Sequence, residues 1–163
     1  MQQLDVPKTH FCAGLFFRQE GEIRYILGLN ECTSIDKIGD MNKLPGGTNK
    51  NAPWETWEQT LMREFSEETT QDGKDGSGLM PKTFEKACVI PLGNHDKVSY
   101  IILEAEGEFG LNEIRTHIEP DGRILRVRWF RIDEFRKKLL PTHKKLFEDG
   151  CSKMLELDLA FKF

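Results

Sequence analysis

Residues 53–70, PWETWEQTLMREFSEETT, constrain this chain more than any other stretch. After Pro53 no Gly or Pro interrupts them, and helix formers dominate, so they predict a helix from about residue 53 to 69. Pro53 suits the first helical turn, and Asn51 stands where a cap is expected. At roughly 100° per residue, Trp54, Trp57, Leu61 and Phe65 fall in a sector about 80° wide, with Met62 beside it. Such an apolar stripe faces a core. Glu64, Glu67 and Glu68 fall in a neighbouring sector roughly 100° wide. One helix therefore has to bury aromatics on one side and gather carboxylates on the next.

Those carboxylates repel one another. Glu64 and Glu68 form a like-charge i,i+4 pair, unfavourable by about 0.2–0.5 kcal/mol. They also fall in the last turns, where the helix dipole disfavours anions. A solvated acidic face is the ordinary reading of such a run. The other reading is a compensating cation. With oxygen donors and no His or Cys close in sequence, it would be a hard cation such as Mg²⁺ or Mn²⁺. Arg63 directly precedes the cluster, and Glu55 lies two helical turns earlier, within reach of an ion pair. Exposed, such a pair would contribute little. Upstream, Leu44-Pro45-Gly46-Gly47 forms an ordinary turn or a stretch of backbone that can approach a ligand closely.

The rest of the chain reads as strands and turns around this helix. HFCAGLFFRQEGEIRYILGLNE predicts a hairpin turning at Gly21. CTSIDKIGDMNKLPGG is loop-rich. KTFEKACVIPL and KVSYIILEAEG predict a second hairpin around Gly93-Asn94-His95-Asp96. FGLNEIRTHIEPDGR looks polar and irregular. ILRVRWFRI alternates, with Leu125, Val127 and Trp129 on one face and Arg126 and Arg128 on the other. DEFRKKLLPTHKKLFEDG predicts helix, a break at Pro141, then helix, and MLELDLAFKF predicts a final strand. The order β-β-α-β-β-β-α indicates a mixed α/β (α+β) fold, and 163 residues suit a single domain over 1–163.

With 27 acidic and 23 basic side chains the chain is mildly acidic. That argues against duplex nucleic acid as a partner but leaves a nucleotide open. Cys12, Cys32, Cys88 and Cys151 form no C-x-x-C pair and read as thiols of a reducing compartment. The N-terminus has no apolar leader core, and no apolar run approaches the ~20 residues that span a bilayer, so a cytoplasmic protein with no membrane partner is expected.

Together these residues resemble the Nudix hydrolase family, whose motif runs G-x5-E-x7-R-E-U-x-E-E-x-G-U, with U a bulky apolar residue. Glu55, then seven residues, then Arg63-Glu64-Phe65-Ser66-Glu67-Glu68 match E-x7-R-E-U-x-E-E without a gap. Leu44-Pro45-Gly46-Gly47 looks like the usual entry to the motif, and RWFRIDEF is similar to the family's late strand-to-helix segment. There are two departures. Two extra residues separate Gly47 from Glu55, and Thr70 followed by Gln71 stands where the family closes with a glycine and an apolar residue.

The resemblance implies an α/β/α sandwich with a mixed central sheet. It implies Mg²⁺-dependent (or Mn²⁺-dependent) hydrolysis of a nucleoside diphosphate linked to another moiety X. Short length favours a (d)NTP or another small nucleotide. Carried over residue by residue, Glu64, Glu67 and Glu68 hold metal with the Gly47 carbonyl. Glu64 orients or deprotonates water. Arg63 and Glu55 fix loop and helix. One further acid is expected among Glu113, Glu119 and Asp121. Arg126 and Arg128 read as a solvated strand face or as phosphate contacts. The RKK and HKK runs read as polar helix faces, and His10, His95, His117 and His143 as isolated. The alternatives are a Nudix-fold nucleotide-binding module with little or no catalysis, and an RNA 5′-end pyrophosphohydrolase, which would need a basic channel.

Overall fold

A computed structural model describes residues 8–31, 41–49 and 55–157. Asn51, Pro53 and Trp54, most of the lengthened loop, Cys32 and residues 158–163 lie outside them. The hairpin at Gly21 forms as the sequence predicts: β1 (Thr9–Glu20) turns at Gly21, φ +62°, into β2 (Ile23–Glu31). Two short strands follow, β3 (Asn42–Lys43) and β4 (Gly46–Thr48). Helix α1 (Trp57–Thr69) leads to a second hairpin of β5 (Met80–Leu92) and β6 (His95–Glu106), turning at Gly93 with φ +66°. Then come β7 (Ile114–Ile118), β8 (Ile124–Arg131), α2 (Ile132–Lys137), a 3₁₀ turn at Pro141–His143 and α3 (Lys144–Leu157).

The strands form one mixed sheet in the order β5-β6-β1-β2-β8-β7. β1 and β6 run parallel, and the other pairs along that order are antiparallel. Helices cover both faces, as expected of the sandwich. Leu61 and Phe65 of α1 pack on Leu27, Leu29, Leu125, Val127 and Trp129. Phe135 of α2 and Leu146, Phe147 and Cys151 of α3 pack on Ala13, Leu15, Ile26 and Phe130 from the opposite side. Gly14 and Gly28 allow this contact. A Cβ on Gly14 would meet Leu61, and one on Gly28 would lie 2.3 Å from the Phe135 ring.

The sheet contains a fork. β1 and β2 pair with each other only at Phe17–Glu20 and Ile23–Ile26. Beyond that, β4 runs along β1 and β3 along β2. The segment 42–48 is thus wedged between two strands that have parted.

Three expectations are corrected. The helix begins at Trp57, not near 53, because Thr56 caps it. The Gln59 amide donates to the Thr56 hydroxyl at 3.2 Å, and the Thr56 amide donates to the Gln59 side chain at 2.9 Å. The polar segment 114–118 is a strand, because it completes the sheet beside β8. The start of the predicted last strand is helix through Leu157. Leu146, Phe147, Gly150 and Cys151 are buried at helical spacing, and Met154 packs against the same core, which overrides the alternation of LELDL. No described helix is long and apolar enough to cross a membrane.

Candidate active site

Arg63 organises the acidic cluster. Its Nε and Nη2 donate to both oxygens of Glu55 at 2.8 Å each, its Nη1 to Glu64 at 2.6 Å and its Nη2 to the Thr48 carbonyl at 2.9 Å. Glu67 lies 3.5 Å from Nη1. The Glu55–Arg63 pair therefore exists as expected, but by another route. Glu55 precedes the helix cap and folds back onto Arg63, and the forked pair is largely buried rather than solvated. Glu55 holds Arg63 more firmly protonated than usual, and Glu64 adds to this.

The three carboxylates diverge in environment. Glu67 is exposed, Glu64 is half-buried, and Glu68 is buried against the fork, where one oxygen accepts the Gly46 amide at 2.7 Å. Burial raises the pKa of Glu64, with Arg63 opposing it. Burial raises Glu68 well above the usual carboxylate range. The Gly46 amide opposes this, and the nearby Lys43 ammonium does so more weakly. Glu119 pushes both carboxyls further up. Of the three late acids, Glu119 is thus the one whose charge acts on the cluster, and it also lies 3.9 Å from Nε2 of His117. Glu113 is bound to Arg115 at 2.6 Å and to the Gly110 amide, and Asp121 to Arg123 at 2.8 Å.

The paired glycines are required for space, not for a left-handed backbone. A Cβ on Gly46 would lie 2.2 Å from the Cys12 carbonyl, and one on Gly47 would lie 2.3 Å from Cδ of Glu64. The departure at Thr70 is accommodated as well. Thr70 has φ −71°, an ordinary value, and its hydroxyl donates to the Ser66 carbonyl at 2.7 Å. The anions at the wrong helix end have an answer too. Buried Arg115 donates to the Thr69 carbonyl at 2.9 Å, to the Ser77 carbonyl at 2.6 Å and to that of Glu108, so a cation from β7 caps the negative end of α1.

Sequence reasoning left out two histidines that hold this geometry. His10 Nε2 lies 2.6 Å from the Thr60 hydroxyl, which donates to Glu55 at 2.7 Å. The hydroxyl has one proton, so His10 must donate, and it carries its proton on Nε2. Burial lowers its pKa, consistent with a neutral ring. His143 Nδ1 accepts the Leu44 amide at 3.0 Å, and burial lowers its pKa to about 4. The spacing of Thr60 four residues before Glu64 was a readable sign that it shares the cluster's face. Nothing local marks either histidine, because each partner is distant in sequence.

The arrangement fits a divalent cation in donor chemistry. Its donors are carboxylate and carbonyl oxygens, and the missing Cβ of Gly47 leaves its backbone beside the Glu64 carboxylate. Among the described residues no three ligands yet converge on one point. Glu64 is turned to Arg63 and Glu68 to the Gly46 amide, so a cation would draw them from those partners. Behind the fork lies a cavity of about 440 Å³ lined by Asn42, Arg126, Arg128, Lys137 and Lys138 among others. Arg126 is exposed, as a solvated strand face requires, Arg128 is half-buried, and both line this cavity.

The chain belongs to the Nudix family, whose NUDIX domain model matches residues 12–150. It is accordingly a hydrolase acting on phosphoric anhydride bonds. Among solved structures it is similar to the NUDIX domain of Shewanella oneidensis NrtR complexed with ADP ribose, at 16% identity and TM-score 0.62, over 93% of this chain and 90% of that one. It is also similar to MutT studied from Aliivibrio salmonicida and Vibrio cholerae, at 16% identity and TM-score 0.60, over 89% and 98%. The E. coli ORF135 protein aligns at 17% identity and TM-score 0.58, over 91% and 90%. NrtR complexed with a 27mer DNA aligns over 90% of this chain but 62% of its own length. Such low identities speak to the fold alone. No curated protein sequence matches the chain.

Proposed function

We propose that this protein hydrolyses the diphosphate of a small nucleotide, a nucleoside diphosphate linked to a moiety X, with Mg²⁺ or Mn²⁺ as cofactor. The observation that carries this reading is that Glu68 and Glu64 close over the Gly46-Gly47 backbone, with Glu67 joined to them through Arg63. In this reading Glu64, Glu67, Glu68 and the Gly47 carbonyl hold the cation, and Glu119 is the late acid that joins them. A divalent ion there would polarise the phosphorus and lower the pKa of a bound water.

The chain's own residues do the rest. Glu64 takes the proton of the attacking water. The water oxygen bonds to one phosphorus while the bridging P–O bond breaks, giving a nucleoside monophosphate and phosphorylated X. Arg63 holds the Glu64 carboxylate in place, and Glu55, fixed by Thr60 and His10, holds Arg63. Duplex nucleic acid is not part of this reading, since the chain carries a net charge of −4.

The test is formation of the nucleoside monophosphate, read by chromatography, from a panel of nucleoside triphosphates, dinucleotides and nucleoside diphosphate sugars with Mg²⁺. Turnover of at least one member is expected, with Glu64→Gln lowering kcat by about 10²–10⁴-fold. Glu67→Gln removes most activity while circular dichroism stays that of the wild type. Wild-type turnover in Glu67→Gln would remove that residue from the cation site.

A further inference from the structure

Along a strand, side chains two apart share a face of the sheet, and residues paired across strands share one as well. On β7 this rule places a histidine. Buried Arg115 donates to the Thr69 carbonyl at 2.9 Å, so its side chain lies on the face that α1 covers. His117 is two residues further on. It pairs with Leu125, as Arg115 pairs with Val127, and both partners belong to the core that receives Leu61 and Phe65 of α1. His117 therefore stands on the α1 face, about 7 Å along the strand from Arg115.

The next acid in the chain lies beside it. Glu119 follows the end of β7, and its charge acts on both Glu64 and Glu68. One of its oxygens lies 3.9 Å from His117 Nε2. The imidazole is thus set between the capped end of α1 and the acid whose charge reaches the cluster. With 20% of its side chain exposed, the ring is held by its surroundings and open on one side.

A diphosphate needs a donor in this place. Its oxygens only accept hydrogen bonds, and the carboxylates around them repel it. The guanidiniums on this side of the sheet are engaged. Arg63 is bound to Glu55, Glu64 and the Thr48 carbonyl. Arg115 is bound to three carbonyls and Glu113, and Arg123 to Asp121. The charge of Lys43 acts on Glu68. His117 differs from these. A ring nitrogen turned to a carboxylate carries its hydrogen, so Nε2 is a donor. Yet the 3.9 Å gap exceeds the roughly 2.7–3.2 Å of a hydrogen bond, so this N–H stands near Glu119 without being bound to it.

We infer that His117 contacts the substrate, its Nε2–H donating to a non-bridging oxygen of the diphosphate at the acidic cluster. This rests on the proposed diphosphate hydrolysis there. A hydrogen bond to a charged oxygen that gains charge as the P–O bond breaks contributes roughly 10–100-fold to kcat/KM.

The experiment compares three variants of the full chain with Mg²⁺. His117→Gln keeps an N–H donor near the place of Nε2, His117→Met keeps bulk without one, and His117→Ala leaves room for added imidazole. His117→Met is expected to lower kcat/KM by roughly 10–100-fold, and His117→Gln by less than about 5-fold. Imidazole should restore at least about 5-fold of the loss in His117→Ala, which carries the test if circular dichroism shows His117→Met misfolded. The Mg²⁺ concentration for half-maximal rate should stay within about 2-fold of wild type, because the contact is to substrate. A residue that only supports the strand or holds Glu119 gives another pattern. All three variants are then equally impaired without rescue, or the Mg²⁺ requirement rises and the loss vanishes in a Glu119→Gln background. Either pattern, or wild-type kcat/KM in His117→Met, overturns the inference and leaves the hydrolysis intact. Calorimetric titration with inorganic pyrophosphate and Mg²⁺ supplies a readout without turnover, and His117→Met should bind about 10-fold more weakly than wild type. If no nucleotide is turned over, the hydrolysis falls. Equal pyrophosphate affinities, or no binding by the wild type, then overturn the inference too.

Discussion

At the scale of single residues, Gly47 is the most exposed to test. It lies in β4 with no left-handed backbone to justify a glycine. Its side chain is missing because the Glu64 carboxyl occupies that space. Gly47→Ala should therefore displace Glu64 by about an ångström and lower kcat by roughly 10²-fold. Thermal unfolding should stay close to wild type, because the displaced group is a flexible side chain. Near-normal turnover in that variant would mean that Glu64 acts from another position. The residues of the acidic motif were legible in the sequence because their meaning is local: five of them share one helix, and their spacing carries the message. His10 and Thr60 were not legible as a pair, since the hydrogen bond between them spans fifty positions. Glu55 was legible as a partner of Arg63 but not as a residue outside the helix. The Thr56–Gln59 capping box was present in the letters, but Pro53 offered a competing start.

At the scale of elements, His143 ties the 3₁₀ turn before α3 to the segment that carries the glycines. Its ring must stay neutral to accept the Leu44 amide. Its folded pKa of about 4 lies below the value of about 6.5 expected in an unfolded chain. Between those values the unfolded state binds more protons, so stability is complete above pH ~6.5 and falls as pH drops toward ~4, by about 3 kcal/mol in all. Unfolding in urea across that range should show this loss, and His143→Gln, which cannot titrate, should flatten it. A slope unchanged by the substitution would assign the acid sensitivity elsewhere. Elements whose burial follows a period were legible, namely both hairpins, α1 and β8. β3, β4 and β7 were not. Each is short, and each becomes a strand only because a neighbouring strand offers it hydrogen bonds. The last helix was misread for a related reason: LELDL satisfies a period of two by itself, and only the packing of Cys151 and Met154 reveals the period of 3.6.

At the scale of the whole molecule, the carboxylates of α1 lie against one narrow segment, since Glu68 accepts the Gly46 amide and the Glu64 carboxyl fills the space beside Gly47. Arg63 offsets part of the repulsion among the carboxylates of α1, yet burial still raises both Glu64 and Glu68. Mg²⁺ at about 100 times its dissociation constant should therefore add about 2.7 kcal/mol, or roughly 5–10 °C in Tm at neutral pH. A chelator should reverse the shift and Glu68→Gln should diminish it. A Tm indifferent to Mg²⁺ and Mn²⁺ would argue against a cation site among these residues. That segment is fastened along its length. Asn42 exchanges backbone hydrogen bonds with Lys138 and Leu140, Leu44 is held by His143, and the Asn49 amide donates to the His10 carbonyl while the Asn49 side-chain oxygen accepts the His10 amide. Glu55 is anchored separately, by Arg63 and Thr60. The two residues added between Gly47 and Glu55 therefore fall between one set of anchors and the next. The wedge behaves as a clamped beam: chain length can change at either end without shifting the span. Loops that enter and leave it are free to diverge in length and chemistry, while the carboxylates and the glycine backbone keep their mutual positions.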